Sequence, residues 1–227
     1  MKVLNMEDLG INAAEVDKYQ KEARILETLR HKHVIQYKGH EIKDDVLFCL
    51  HLEFASGGSL ADHIGRDLTS DLQLRLMTEL ADGLHYLHSQ NVMHRDLKAS
   101  NILLAGSSND LRSMRVKISD FGLATQLSCS AASKVSSKGG TNAYFSPERG
   151  REEKYGYSAD MWAVGCIILE VVGGESLKAA LWPESRRQDL RHRLDAVAEL
   201  NPMLGKHASS LLEHDPDRRI IWDSYPC

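Results

Sequence analysis

The feature that most constrains the fold of this chain is a change of hydrophobic period near residue 53. Up to that point short apolar runs dominate. His33–Tyr37 and Val46–Leu52 read as strands, with Lys43-Asp44-Asp45 as the turn between them. One helix precedes them, because Val16, Tyr19, Ala23, Leu26 and Leu29 recur at helical spacing between Ile11 and Arg30, with charges on the other face. Ala55-Ser56-Gly57-Gly58-Ser59 then breaks the pattern. Beyond it a helix capped by Ser70 and running through Gln90 carries Leu72, Leu76, Met77, Leu80, Leu84 and Leu87 on one face. Ile102–Leu104 and Arg115–Ile118 read as short strands around a polar hairpin from Gly106 to Ser113. Thr125 to Gly140 is rich in Ser and Lys, has no periodicity and reads as a mobile loop. Ser158 is expected to cap an apolar helix through Val172, and weaker helices follow at Arg186–Leu200 and Lys206–His214. A strand-rich front and a helix-rich back predict an α+β fold of two lobes, residues 1–54 and 55–227, that share a cleft.

Bulk properties exclude several classes. With 227 residues, 42% of them hydrophobic and 26% charged, the chain can bury a sizeable core. A net charge of -4 does not suit a general nucleic-acid binder or a polybasic membrane surface. Cys49, Cys129, Cys166 and Cys227 show no Cys-x-x-Cys spacing and read as reduced thiols of a cytoplasmic protein. The apolar stretch among the first residues is too short for a signal peptide. The longest apolar run, Met161–Leu169, is bracketed by Asp160 and Glu170 and falls far short of the roughly 18 residues of a membrane span, so it reads as a core helix. His31 with His33, and His85 with His88, lack a third ligand at metal-binding spacing and read as structural.

The chemistry is concentrated in His94-Arg95-Asp96-Leu97-Lys98-Ala99-Ser100-Asn101 and, after the strand pair, Asp120-Phe121-Gly122. A lone aspartate is ordinarily a solvated loop or cap residue. A carboxylate, a cation, an amide and a second carboxylate in this order suit phosphoryl transfer from a metal-bound nucleotide. The two runs are signatures of the eukaryotic protein kinases, and the chain resembles that family, of the Ser/Thr type. The resemblance implies ATP and Mg²⁺ as cofactors and a protein as substrate. It makes Asp96 the group that takes or orients the substrate hydroxyl proton. Lys98 would neutralise the moving phosphoryl, and Asn101 and Asp120 would hold the metal, with Asp120 also beside ATP.

The same resemblance assigns further residues. Lys2, in Lys2-Val3-Leu4, would hold the ATP phosphates through an ion pair with Glu22. Leu52 would stand behind the adenine, Glu53 and Ala55 would bond its edge through the backbone, and Leu103 would form the apolar floor. Gly140 to Glu148 resembles the close of the activation segment, with Ser146 where the family usually has Ala. Glu148 would pair with Arg219, and Asp160 would anchor the catalytic loop. Arg95 implies regulation by a phosphorylated loop residue, Ser137 or else Ser136, and hence an upstream activating kinase. Lys98 and Thr141 fit Ser/Thr specificity. Gly57-Gly58-Ser59-Leu60 and the activation segment resemble MAP kinase kinase kinase-like enzymes.

One part of the family pattern has no counterpart. Gly10 is the only glycine before Gly39, so no Gly-x-Gly-x-x-Gly phosphate loop can lie there. The resemblance therefore implies an N-terminally truncated catalytic domain with an incomplete small β-rich lobe and a mainly helical large lobe. The alternative is a non-catalytic, kinase-like interaction fragment.

Overall fold

In the computed structural model of the protein, the described residues are 2–5, 13–43, 47–66, 68–106, 112–127 and 139–220. The fold is α+β, as expected, with a small antiparallel sheet and one helix in the first part and mainly helices in the rest.

Strands β1 (Lys2–Asn5), β2 (Tyr37–Lys43) and β3 (Leu47–Leu52) form a three-stranded sheet in the order β1-β3-β2. Lys2 pairs with Leu50 and His40 with Leu50 from the other side, so β3 is central. Its position explains its composition: Phe48, Cys49 and Leu50 are buried in succession, as a strand covered on both faces must be. Helix α1 (Ala13–Thr28) lays Ala23, Ile25 and Leu26 into the core. The Tyr19 ring lies 6.3 Å from that of Phe48.

The expected strand at His33–Tyr37 is corrected. The strand begins at Tyr37 and runs through Lys43, which is therefore not part of the turn; residues 44–46 lie outside the described residues. Residues 33–36 instead dock on the second half of the chain. Ile118 N–H donates to the His33 carbonyl at 2.8 Å, and Ile35 N–H donates to the Ile118 carbonyl at 2.9 Å. Val34 and Ile35 are buried by this docking and not by a continuing ladder. Gly83 makes the approach possible, since a Cβ there would meet the His33 carbonyl at 2.9 Å.

Helix α2 (Ser70–Ser89) follows the apolar spacing, but its cap is Thr69, whose hydroxyl accepts from Leu72 N–H. Strands β4 (Val92–Met93) and β7 (Thr125–Gln126) pair with each other, as do β5 (Ile102–Ala105) and β6 (Arg115–Ile118). The loop expected from Thr125 thus starts as a strand, and residues 128–138 lie outside the described residues. After the single turn α3 (Pro147–Gly150), α4 (Tyr157–Gly173) runs through the centre of the helical part. It starts at Tyr157 after Gly156, so Ser158 lies inside the helix and is not its cap. Every residue from Ala159 to Val172 is buried, which is why the run is apolar on all sides. Helices α5 (Arg187–Leu200) and α6 (Pro202–Leu211) pack beside it. Asn201 separates them: its side chain accepts from Leu204 N–H and donates to Gln73 Oε1 at 3.1 Å, which ties α6 to α2. The last helix therefore begins before Lys206 and ends before His214. Among the described residues no helix is long and apolar enough to cross a membrane.

Candidate active site

Two loops meet at the candidate site. One leaves β4 at His94 and ends at Asn101; the other leaves β6 and carries Asp120. The pairings of β4 with β7 and of β5 with β6 hold their four ends together. The loops are also bonded directly: Ser119 N–H and Oγ both donate to the Asn101 carbonyl at 2.9 Å. His94 is fully buried, and its Nε2 lies 2.9 Å from the Ser119 carbonyl while Nδ1 accepts from Asp96 N–H. These contacts place the ring proton on Nε2. The ring stands edge-on to Phe121, with centroids 5.0 Å apart.

Asp160, from α4, fixes the first loop from below. Its Oδ2 accepts His94 N–H and its Oδ1 accepts Arg95 N–H, both at 2.9 Å, and His88 Nε2 lies 3.0 Å from Oδ2. Burial pushes its carboxyl upward, but the hydrogen bonds from His88 and from the Arg95 amide hold it below the usual carboxylate range. Both loops contain a residue in left-handed backbone, Arg95 at φ 70° and Asp120 at φ 64°. For residues other than glycine that conformation costs roughly 1–2 kcal/mol each.

The result is a compact polar cluster. Asp96 Oδ1 accepts from Thr141 N–H at 2.9 Å and from Thr141 Oγ1 at 3.0 Å. Lys98 Nζ lies 3.1 Å from Asp96 Oδ2 and donates to Thr141 Oγ1 at 2.8 Å. Asn101 Nδ2 donates to the Asp96 carbonyl at 2.8 Å. That bond commits the amide nitrogen and leaves the Asn101 side-chain oxygen as the acceptor, the hard donor that Mg²⁺ prefers. With the Asp120 carboxylate at the facing loop, the donor chemistry fits a magnesium-bound nucleotide.

Glu22 is buried on α1, 1% exposed; the backbone of Lys2 lies on β1, and its side chain falls outside the described residues. Leu52 and Leu103 are half-buried against the core. Glu53 is fixed by Lys117 Nζ at 2.9 Å and by Gln36 N–H at 3.2 Å, both on Oε2. Among the described residues no backbone–backbone hydrogen bond outside the regular elements uses the Glu53 carbonyl or the Ala55 amide. Those groups therefore suit the edge of a purine. Ser136 and Ser137 lie outside the described residues.

Arg95 faces the segment after Asp120-Phe121-Gly122. Its guanidinium donates to the Leu123 carbonyl and Thr125 Oγ1 at 3.0 Å and to Tyr155 Oη at 3.1 Å. Glu148 and Arg219 form a bidentate pair at 2.8 and 3.0 Å. Two participants escape a reading of the sequence. Glu170, buried on α4, accepts from Tyr144 Oη at 2.7 Å and from Leu177 N–H at 2.8 Å, and burial pushes its carboxyl upward. Arg149 bonds the backbone of both the first loop and the segment leading to Thr141. The sequence signal for it is faint: an arginine between Phe145 and Tyr155, after a Gly-Gly pair.

Comparison with known proteins agrees with this geometry. The family profile described as the protein kinase domain matches residues 1–224. The serine/threonine-protein kinase ULK3 of Homo sapiens is 30% identical over 222 residues, covering 95% of this chain and 46% of that protein. The serine/threonine-protein kinase sid1 of Schizosaccharomyces pombe is 32% identical over 225 residues, covering 91% and 46%. Mitogen-activated protein kinase kinase kinase 17 of Arabidopsis thaliana is 34% identical over 178 residues, covering 74% and 45%. The chain thus spans about half the length of the curated relatives it matches. On the profile match and these identities, the chain belongs to the protein kinase domain family.

Proposed function

We propose that the chain carries the catalytic core of a protein serine/threonine kinase, which transfers the ATP γ-phosphoryl group to a protein hydroxyl. The observation that carries the proposal is the Asp96–Thr141–Lys98 cluster, in which a carboxylate, a hydroxyl and an ammonium are fixed within 3.1 Å of one another. ATP and Mg²⁺, when bound, supply the phosphoryl group and the positive charge that neutralises it.

The residues then divide the work. Asp96, at the centre of the cluster, orients the incoming hydroxyl and accepts its proton as the oxygen attacks. Lys98 offsets the negative charge that develops beside it. Asn101 and Asp120 present the oxygens that hold the metal. Glu53 and Ala55 bond the adenine edge through their backbone, between Leu52 and Leu103. Lys2, paired with Glu22, steadies the phosphates. Residues 1–54 serve as the small lobe and residues 55–227 as the large one. Arg95, with Ser137 or Ser136, forms the regulatory contact for an upstream kinase, and the protein works in the cytoplasm on protein substrates, without nucleic acid.

The test is transfer from labelled ATP and Mg²⁺ to a generic Ser/Thr protein substrate by the full chain, beside its Asp120→Ala form. Transfer that disappears in the variant supports the proposal. Transfer by both equally refutes the assignment of Asp120. No transfer by folded wild type, even with the N-terminus extended by a Gly-x-Gly-x-x-Gly strand pair, favours the interaction-module reading.

A further inference from the structure

Arg149 sits one residue after Glu148 and has no carboxylate within ion-pair distance among the described residues. Its charge is met differently. Nη1 donates to the Arg95 carbonyl and Nη2 to the Gly139 carbonyl. The guanidinium carbon lies 4.2 Å from the Phe145 ring centroid and 5.2 Å from that of Tyr155, so two aromatic faces add to the stabilisation, while Nε is buried without a hydrogen-bond partner among the described residues.

The choice of carbonyls is informative. The Arg95 carbonyl belongs to the peptide that leads into Asp96. The Gly139 carbonyl opens the short stretch that leads into Thr141. Thr141 in turn gives both its N–H and its hydroxyl to Asp96 Oδ1. One guanidinium therefore grips the backbone just before each partner of that contact. The turn around it is built for the purpose. Gly139 and Gly140 have φ of +119° and +99°, and a Cβ on Gly140 would lie 2.4 Å from Arg149 Nη2. Only glycine lets the chain wrap this closely.

We propose that Arg149 is a positioning residue, which sets the Asp96 carboxylate by holding the catalytic loop and the Thr141 segment in one register. The fork of the guanidinium is essential, because two carbonyls on separate segments must be bonded by one rigid plane. A lysine has the charge but one point of attachment. The kinetic part of this inference rests on the kinase reading; the structural part does not.

Two variants test it in the full chain. Arg149→Met keeps the apolar stem between the rings and removes both donors; Arg149→Lys keeps the charge without the fork. Amide hydrogen exchange is the primary readout. Thr141 N–H should exchange at least tenfold faster in Arg149→Met, with a smaller increase in Arg149→Lys, while the His94 and Arg95 amides held by Asp160 stay within twofold. Where wild type transfers phosphate, kcat should fall about tenfold in Arg149→Met with KM for ATP unchanged. Unaltered Thr141 exchange in either folded variant overturns the proposal, as does acceleration that spreads equally to the His94 and Arg95 amides. Faster Thr141 exchange in a chain whose wild type shows no transfer keeps the structural role of Arg149, and the kinase reading is then decided separately, by transfer from the N-terminally extended chain.

Discussion

Replacing Arg219 by Met should destabilise the fold more than any single surface change. The Arg219 side chain is fully buried and Glu148 is 3% exposed, and the two share a bidentate contact. Arg219 also donates to the Ser158 carbonyl at 2.6 Å and to the Glu213 carbonyl at 3.0 Å, beneath the Trp162 ring at 5.2 Å. Methionine fills much of the same volume, so the cavity term is small. The cost is electrostatic, because Glu148 is left as an unpaired buried charge and two carbonyls lose their donor. Removing one partner of a buried pair costs about 3–5 kcal/mol. For a domain of this size each kcal/mol lowers Tm by about 2–4 °C, so a fall of roughly 6–20 °C is expected. Urea unfolding followed by tryptophan fluorescence is a suitable assay, since Trp162 lies against the pair. A second Glu148→Leu change should recover part of the loss, since no isolated charge remains. An Arg219→Met protein within about 1 kcal/mol of wild type would refute the reasoning, as the penalty for stranding a buried charge has no smaller reading.

Three further outcomes are expected. Asp160→Asn turns an amide donor toward the His94 and Arg95 amides or the His88 ring, and should cost about 1.5–3 kcal/mol and speed exchange at His94 and Arg95; unchanged exchange there would remove Asp160 from its anchoring role. Gly150→Ala brings a Cβ to 2.1 Å from the Trp182 ring and should cost about 1–3 kcal/mol in urea, whereas a neutral result would mean that Trp182 moves freely. Glu170 has a folded-state carboxyl above its unfolded value, so its contribution is present below the ordinary carboxylate range and is lost as pH rises through the raised value. Glu170→Gln should therefore gain on wild type as pH climbs across that interval, and a stability difference flat with pH would contradict the assignment.

How far the sequence alone reveals the molecule depends on where each partner lies. Asp96, Lys98 and Asn101 fall within one short run, and their spacing by itself puts them in one loop. The α4 run is apolar on all sides and could only be central. Val34 and Ile35 misled because a β-branched apolar pair looks the same whether a strand or a docked connector buries it. The partner that decides is Ile118, distant in sequence. Thr69 and Ser70 are both competent caps, and composition does not choose between them. Arg149 was illegible for a different reason: its acceptors are backbone carbonyls, and these have no side-chain signature.

Under the proposed function, the left-handed backbone at Asp120 sets stability against activity, while that at Arg95 is held by the contacts of its side chain. Variants selected only for heat resistance should drift at 120 toward glycine or asparagine, which adopt that backbone more readily, whereas at 95 the three hydrogen bonds of the guanidinium oppose the same drift. Variants selected for turnover should keep the charged residues and accept a lower melting point. The two selections, run in parallel on one library, should diverge at position 120 while agreeing at 95 and across the α4 core.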